Sequence, residues 1–241
     1  MTSAINSVNK RVLLKLSGEQ LSGKFEAGID PGVAAYLADE VKKVVGAGIQ
    51  VVIVAGGGNM IRGAEIAGHG IKRVTGDQMG MLSGLINSMA LTDIFEYRNL
   101  PTRCLSNIFA QQVAESYSFR LAEKHLERGR VIIIAGGMGR PYFTHDTAAV
   151  NLALELDCEI VMKATKVDGV YDKDPSKYPD ARKLDHLDFN QAVSNADIMV
   201  MDKAAMGLAM EQKMPIVVFD AMQPDNILKA AQGASAGTTI S

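Results

Sequence analysis

The sequence predicts an α/β fold, a three-layer αβα sandwich in which helices cover both faces of a mostly parallel open sheet. Three observations predict it. Short apolar runs bounded by glycine, proline or polar residues alternate with stretches of helical periodicity. Several runs are apolar at nearly every residue, as strands buried on both faces are. Tight turns close three of them, at Ser17-Gly18-Glu19, Gly56-Gly57-Gly58-Asn59 and Gly136-Gly137-Met138-Gly139-Arg140.

Val12–Leu16 reads as the first strand. Lys15 sits inside this apolar run, where an unpaired ammonium is expensive, and a bound anion would supply its reason to be there. Asp30-Pro31 opens a helix over 31–47 with Val33, Leu37, Val41, Val44 and Val45 on its apolar face, and Gly48 closes it. Ile49–Ala55 is the second strand, followed by a three-glycine turn whose amides could converge on phosphate oxygens, with Arg62 as a forked cation beyond it.

A helix is expected over 77–97. Its apolar residues, Met79, Met81, Leu82, Leu85, Ile86, Met89, Leu91 and Ile94, extend beyond one stripe, which fits either a subunit contact or a fully internal helix. Asp77, at the expected helix start, is either a cap or a carboxylate for ribose hydroxyls.

Further strands are expected at Thr102–Leu105, Val131–Ala135, Glu159–Lys163 and Ile216–Phe219, with helices over 113–128, 146–156 and 202–213. Gly129 and Met214-Pro215 punctuate them. The run from Gly136 to Ala149 joins a glycine turn to a helix start with hydroxyls at Thr144 and Thr147, a setting that favours anions. Asp146 there either caps the helix or holds Lys15 or Lys163 across a cleft. His145 alone reads as a hydrogen-bonded surface residue, and four scattered histidines make no metal cluster. Lys163 is a second cation at a strand end, and Val167–Tyr171 resembles a short hairpin. Residues 170–188 are the least regular stretch, a candidate mobile cover.

Composition narrows the function. The 25 basic and 27 acidic residues nearly cancel and are interspersed, leaving no electrostatic footprint for nucleic acid or an anionic membrane. Cys104 and Cys158 lie far apart without metal-ligand spacing, which fits a reduced cytoplasmic protein. No run approaches a membrane span, and the first ten residues lack a signal-peptide core. Neither a dinucleotide Gly-x-Gly-x-x-Gly after the first strand nor a P-loop Gly-x4-Gly-Lys-Ser/Thr is present. Phosphate chemistry on a different scaffold is expected.

Lys15-Leu-Ser-Gly18, Gly56-Gly-Gly-Asn-x-x-Arg62-Gly63, Gly76-Asp-x-Met-Gly-Met81, Pro141-Tyr-Phe-Thr-x-Asp146-x-Ala-Ala149 and Lys163-Ala-Thr-Lys-Val-Asp-Gly-Val-Tyr171 together resemble the bacterial uridylate kinases of the amino acid kinase superfamily, from Lys10 to Thr239. The resemblance implies the amino acid kinase fold in one domain, 1–241, with an acceptor half over roughly 1–155 and an ATP half over roughly 156–241. It implies ATP-dependent phosphorylation of UMP to UDP with Mg2+, in a homohexamer activated by GTP and inhibited by UTP.

Carried onto this chain, Lys15, Ser17, Gly18, Gly58, Arg62, Thr165, Tyr171 and Asp174 would hold ATP. Gly57, Asp77 and the turn Met138, Gly139, Arg140, Pro141, Tyr142, Phe143, Thr144 and His145 would hold UMP. An activator segment would lie near Gly23 to Gly28. Relatives carry threonine where this chain has Met138 and His145, which weakens base selectivity arguments there. Lys15, Arg62 and Lys163 would act on the moving phosphoryl group, with Asp146 and Asp202 orienting the lysines or a metal's water shell, and no residue is assigned as a direct metal ligand. The alternatives are another small-molecule kinase of this fold, acting on carbamate or acetylglutamate, and a nonenzymatic nucleotide-binding or storage protein.

Overall fold

The computed structural model describes residues 9–67, 70–173, 175, 177–195, 198 and 200–241. In chain order the elements are β1 (Arg11–Leu16), α1 (Gly18–Leu21), α2 (Pro31–Gly46), β2 (Gln50–Ala55), α3 (Gly63–Ile66), α4 (Arg73–Tyr97), β3 (Thr102–Ser106), β4 (Glu115–Ser116), α5 (Phe119–Leu126), β5 (Val131–Ala135) and α6 (His145–Glu155). They continue with β6 (Val161–Thr165), β7 (Val170–Tyr171), β8 (Lys183–Leu184), β9 (His186–Leu187), α7 (Phe189–Ser194), α8 (Lys203–Gln212), β10 (Ile216–Asp220), α9 (Asn226–Ala231) and β11 (Gly237–Ile240).

Nine of these strands form one sheet in the order β4-β3-β5-β2-β1-β6-β10-β11-β9. The central six, β3, β5, β2, β1, β6 and β10, are mutually parallel, and β11 turns antiparallel to β10. Successive side chains of a strand point to opposite faces, so an uninterrupted apolar run feeds two cores at once. Leu13, Val52, Val54, Ile132, Ile134, Val161 and Val218 pack with α5, α6, α7 and α8 on one face. On the other, Val12, Leu14, Leu16, Ile53, Ile133, Met162 and Phe219 pack with α2, α4 and α9. Each fully buried Val, Leu or Ile contributes about 1.5–3 kcal/mol, so the sheet is the stiff part of the molecule. No helix among the described residues is long and apolar enough to cross a membrane.

Several sequence expectations shift. α4 begins at Arg73 with Lys72 at its N-cap, one turn before Asp77, so Asp77 caps nothing. Its Leu82, Ile86 and Met89 are exposed, so this helix is not fully internal. The helix expected over 113–128 shrinks to α5, because Glu115–Ser116 pair with Leu105 and Ser106 and Ser118 takes extended backbone at the cap position. β6 ends two residues later than expected, which places Lys163 within the strand. The hairpin at Val170–Tyr171 is a long-range one: its partner is Lys183–Leu184, with Thr238 joining the two strands through Val170 N and Leu184 O. β9, β11, α7 and α9 carried too few residues of clear periodicity to be foreseen.

Candidate active site

Lys15 and Lys163 are register partners on the adjacent parallel strands β1 and β6, so both side chains leave the same face of the sheet side by side. Between them stands Asp146, in the first turn of α6: Lys15 Nζ is 2.7 Å from Oδ1, and Lys163 Nζ donates to Oδ2 at 2.9 Å. Lys163 Nζ also donates to the carbonyl of Val200. Burial alone would raise the Asp146 pKa, but the two ammonium groups overcome it and hold it at about 2. Burial, and after it the neighbouring Lys15, lowers the Lys163 pKa, and Asp146 restores only part of it. Two cations on one carboxylate leave the cluster with one net positive charge, in a place only 9% exposed at Lys15. Such charge asks for an anion.

Asp146 is not the helix cap. Thr144 is, accepting from the amides of Asp146 and Thr147. Asp202 is also a cap, of α8, where it accepts from Ala204 N and Ala205 N at 2.9 Å and from the hydroxyls of Thr144 and Thr147. It therefore ties α8 to the start of α6 and contacts neither lysine, although its charge raises the Lys163 pKa.

The glycine turn after β2 lies on α4. A Cβ on Gly57 would fall 2.5 Å from Gly80 O and 2.9 Å from Gly84 N, and one on Gly63 would fall 2.3 Å from Gly76 O. Gly76, Gly80 and Gly84 recur every fourth residue, which is one face of a helix, and that track lets both segments ride on the helix backbone. The amides of Gly57, Gly58 and Asn59 donate to no protein acceptor among the described residues. Three consecutive unclaimed donors form a natural anion cradle. Gly18, after β1, is pressed against the same turn: its Cβ would fall 2.7 Å from Gly58 N. Arg62, at the mouth, pairs with Glu19 and Glu65.

The second glycine turn leads into residues 138–145. Gly136, Gly137 and Gly139 all have positive φ, and Asn107 clasps Gly137 O at 2.6 Å. Met138 packs on the α6 core, while Arg140, Tyr142 and Phe143 are exposed and Pro141 is half-buried. Tyr142 itself has φ +69°. Asp77 fixes it there, accepting from Tyr142 N at 2.8 Å and from Arg73 Nε at 2.8 Å, and the Arg73 guanidinium lies 5.5 Å from the Tyr142 ring centre. His145 turns inward, contrary to the surface role expected. Its Nε2 is shielded and without a partner, against Gly84 and Gly137. Burial and the nearby Lys15 lower its pKa to about 4, which Asp146 only partly offsets, so the imidazole is neutral at neutral pH.

On the other side of the lysines, Thr165 ends β6, its hydroxyl donating to Val167 O at 2.6 Å, and its carbonyl accepts from Gln20. Ser17 N meets Gln20 Oε1 at 3.4 Å. Tyr171 donates to Asp168, which also pairs with Lys183. Asp174 lies outside the described residues. The structure thus gathers Lys15, Asp146 and Lys163 in direct contact, puts Thr144 at the cap of the helix that carries Asp146 and Gly57 and Gly58 on the turn after β2, the strand beside β1, and leaves Arg62, Arg140 and Phe143 exposed and Tyr171 half-buried. Sequence reasoning missed Glu19, Arg73 and the Val200 carbonyl. Arg73 had a findable signal, standing four residues before Asp77 on a helix; a backbone carbonyl has none.

Residues 10–220 match the amino acid kinase family. The uridylate kinase of Sulfurovum sp. (strain NBC37-1) is 49% identical over 94% of this chain and 96% of its own. The UMP kinase of Bacillus anthracis superposes with a TM-score of 0.92 at 35% identity, covering 97% of this chain and 96% of that one. That of Ureaplasma parvum superposes at 0.89 with 32% identity, covering 96% and 98%. The chain belongs to the amino acid kinase family, among the uridylate kinases.

Proposed function

We propose that this chain transfers the γ-phosphoryl group of ATP to UMP, forming UDP and ADP. The observation that carries the reading is the pair of ammonium groups, Lys15 and Lys163, held side by side by one carboxylate, on strands whose neighbour β2 ends in a turn with three unclaimed amides. A UMP phosphate oxygen is already ionised, so no general base is needed and the barrier is one of charge and alignment. Lys15 and Lys163 stabilise the oxygens of the phosphoryl group in flight. Asp146 keeps both lysines charged and aimed, and Asp202 holds the α6 start through Thr144 and Thr147.

UMP lies with its phosphate toward Gly57 and its nucleoside along Asp77 and residues 138–145. ATP lies toward Ser17, Gly18, Gly58, Arg62, Thr165 and Tyr171, with Asp174 beyond the described residues. Among the described residues no three His, Cys, Asp or Glu side chains converge as a metal cage. Asp146 is occupied by two cations and Asp202 by four donors. That donor set suits Mg2+ carried in on the ATP phosphates, where it neutralises charge and takes at most one or two carboxylates.

The buried, unpaired Cys104 and Cys158 support a cytoplasmic setting, and the product a place in pyrimidine nucleotide synthesis. The exposed stripe on α4 supports self-association, up to the homohexamer. Regulation by GTP and UTP belongs to the same reading, with residues 23–28 as the activator segment; Lys24 lies 5.7 Å over the exposed Phe25 ring there.

The test is product analysis with ATP, Mg2+ and each nucleoside monophosphate, carbamate and acetylglutamate in turn. UDP from UMP is expected, and Lys15→Ala lowers turnover about a hundredfold or more, as loss of a transition-state donor does. ATP binding with no ADP formed on adding UMP overturns the reading in favour of a nonenzymatic binder.

A further inference from the structure

Two asparagines that the reaction does not use form a closed pair beneath the phosphate turn. Asn87, in the middle of α4, is 0% exposed and Asn59, the last residue of the turn, is 6% exposed. Asn87 Nδ2 donates to Asn59 Oδ1 at 2.7 Å and to Gly56 O at 2.7 Å. Asn59 Nδ2 donates back to Asn87 Oδ1 at 3.0 Å and to Gly28 O at 2.6 Å. All four amide N–H donors are spent and both carbonyls are engaged. Neither amide can turn over without setting N–H against N–H and leaving a backbone carbonyl unpaired, Gly56 O if Asn87 turns and Gly28 O if Asn59 does, so the pair has one orientation.

This orientation reaches the reacting groups through one peptide plane. The chain has no cis peptide bonds among its described residues, and in a trans peptide the C=O and the following N–H are antiparallel. With Gly56 O drawn to Asn87, the Gly57 N–H points away from α4, and it is one of the three amides that no protein group claims. Gly56 and Gly57 have no side chains of their own to fix that plane, and glycine peptides are the freest to rotate. Asn59 also clamps Gly28 from both sides, since Gly28 N donates to the Asn59 backbone carbonyl at 3.2 Å.

We propose that Asn87, acting with Asn59, is a positioning residue for phosphoryl transfer: it sets the Gly56–Gly57 peptide so that the Gly57 N–H meets the acceptor phosphate. The proposal rests on the acceptor reading above. Its test is the steady-state kinetics of Asn87→Asp and Asn59→Ser in the full chain, with Asp77→Asn beside them. Asn87→Asp keeps the shape and the acceptor oxygen but cannot donate to Gly56 O. Both asparagine variants raise KM for UMP tenfold or more while KM for ATP stays within twofold.

An unchanged KM for UMP in folded Asn87→Asp and Asn59→Ser, with Asp77→Asn raising it, overturns the proposal and leaves the acceptor site standing. If Asp77→Asn also leaves it unchanged, the acceptor reading fails and takes the proposal with it. Loss of folding in both asparagine variants, or a fall in kcat without the KM split, marks the pair as structural only and likewise overturns it.

Discussion

At the scale of single residues the site is a problem of placing charge where water is scarce. Lys15 and Lys163 share one carboxylate, and Asp146 is held ionised by the two of them against the penalty of burial. His145 is held under the opposite rule: it is buried beside that positive charge with nothing to share a proton with, so it stays neutral. Its folded pKa of about 4 lies below the ordinary 6.5, so the unfolded chain takes up a proton that the folded chain refuses. Stability is therefore intact above about pH 6.5 and falls as pH drops toward about 4, by roughly 3 kcal/mol at about 1.4 kcal/mol per unit. Urea unfolding at pH 7 and pH 4.5 measures this, and His145→Thr is expected to flatten the difference. Asp146 has a lowered pKa and adds its own loss only below its ordinary value of 3.8, a window that the His145 effect has mostly left.

At the scale of elements, much of what matters was legible because it had a period. The six central strands and α2, α6 and α8 announced themselves as apolar runs and amphipathic stretches with their own stop signals, and Lys15 stood out as a cation in such a run. Asp146 did not resolve, since a carboxylate in the first turn of a helix reads equally as a cap, and only the nearer hydroxyl of Thr144 decides that it is free for the lysines. The Asn59–Asn87 pair was illegible, because nothing local tells a buried asparagine from an exposed one. The second job of the α8 cap was illegible in the same way. Asp202 satisfies two amides of α8 and the hydroxyls of Thr144 and Thr147 at the head of α6. Losing a cap costs about 1 kcal/mol, and stranding two hydroxyls adds to that. Asp202→Ala is expected to lower stability by about 2 kcal/mol, read by denaturant unfolding, and to lower kcat by loosening the α6 turn that carries Asp146. A kcat equal to the parent's in the folded variant refutes the second part.

At the scale of the whole molecule, the two faces of the sheet bury the core, and among the apolar side chains left exposed one group is clustered on and beside a single helix. Leu82 and Ile86, 51% and 50% exposed, stand with Met89 at spacings of four and three along α4, which is one side of a helix. The segment 108–114 packs on Leu85 beside them and adds Phe109, 85% exposed, and Val113. A clustered apolar surface of this kind is what a subunit contact leaves uncovered in a single chain. The opposite side of the same helix carries the Gly76, Gly80 and Gly84 track and Asn87, so the helix that would form the contact is also the floor of the phosphate turn. Charging the stripe should then act at two distances. Leu82→Glu with Ile86→Glu is expected to shift the assembly to smaller species in analytical ultracentrifugation, with the fold retained by circular dichroism, because both positions face outward. KM for UMP should rise with dissociation and recover as protein concentration is raised, since mass action restores the contact. An assembly state that does not respond to the two glutamates removes the stripe from the interface, whatever the kinetics do.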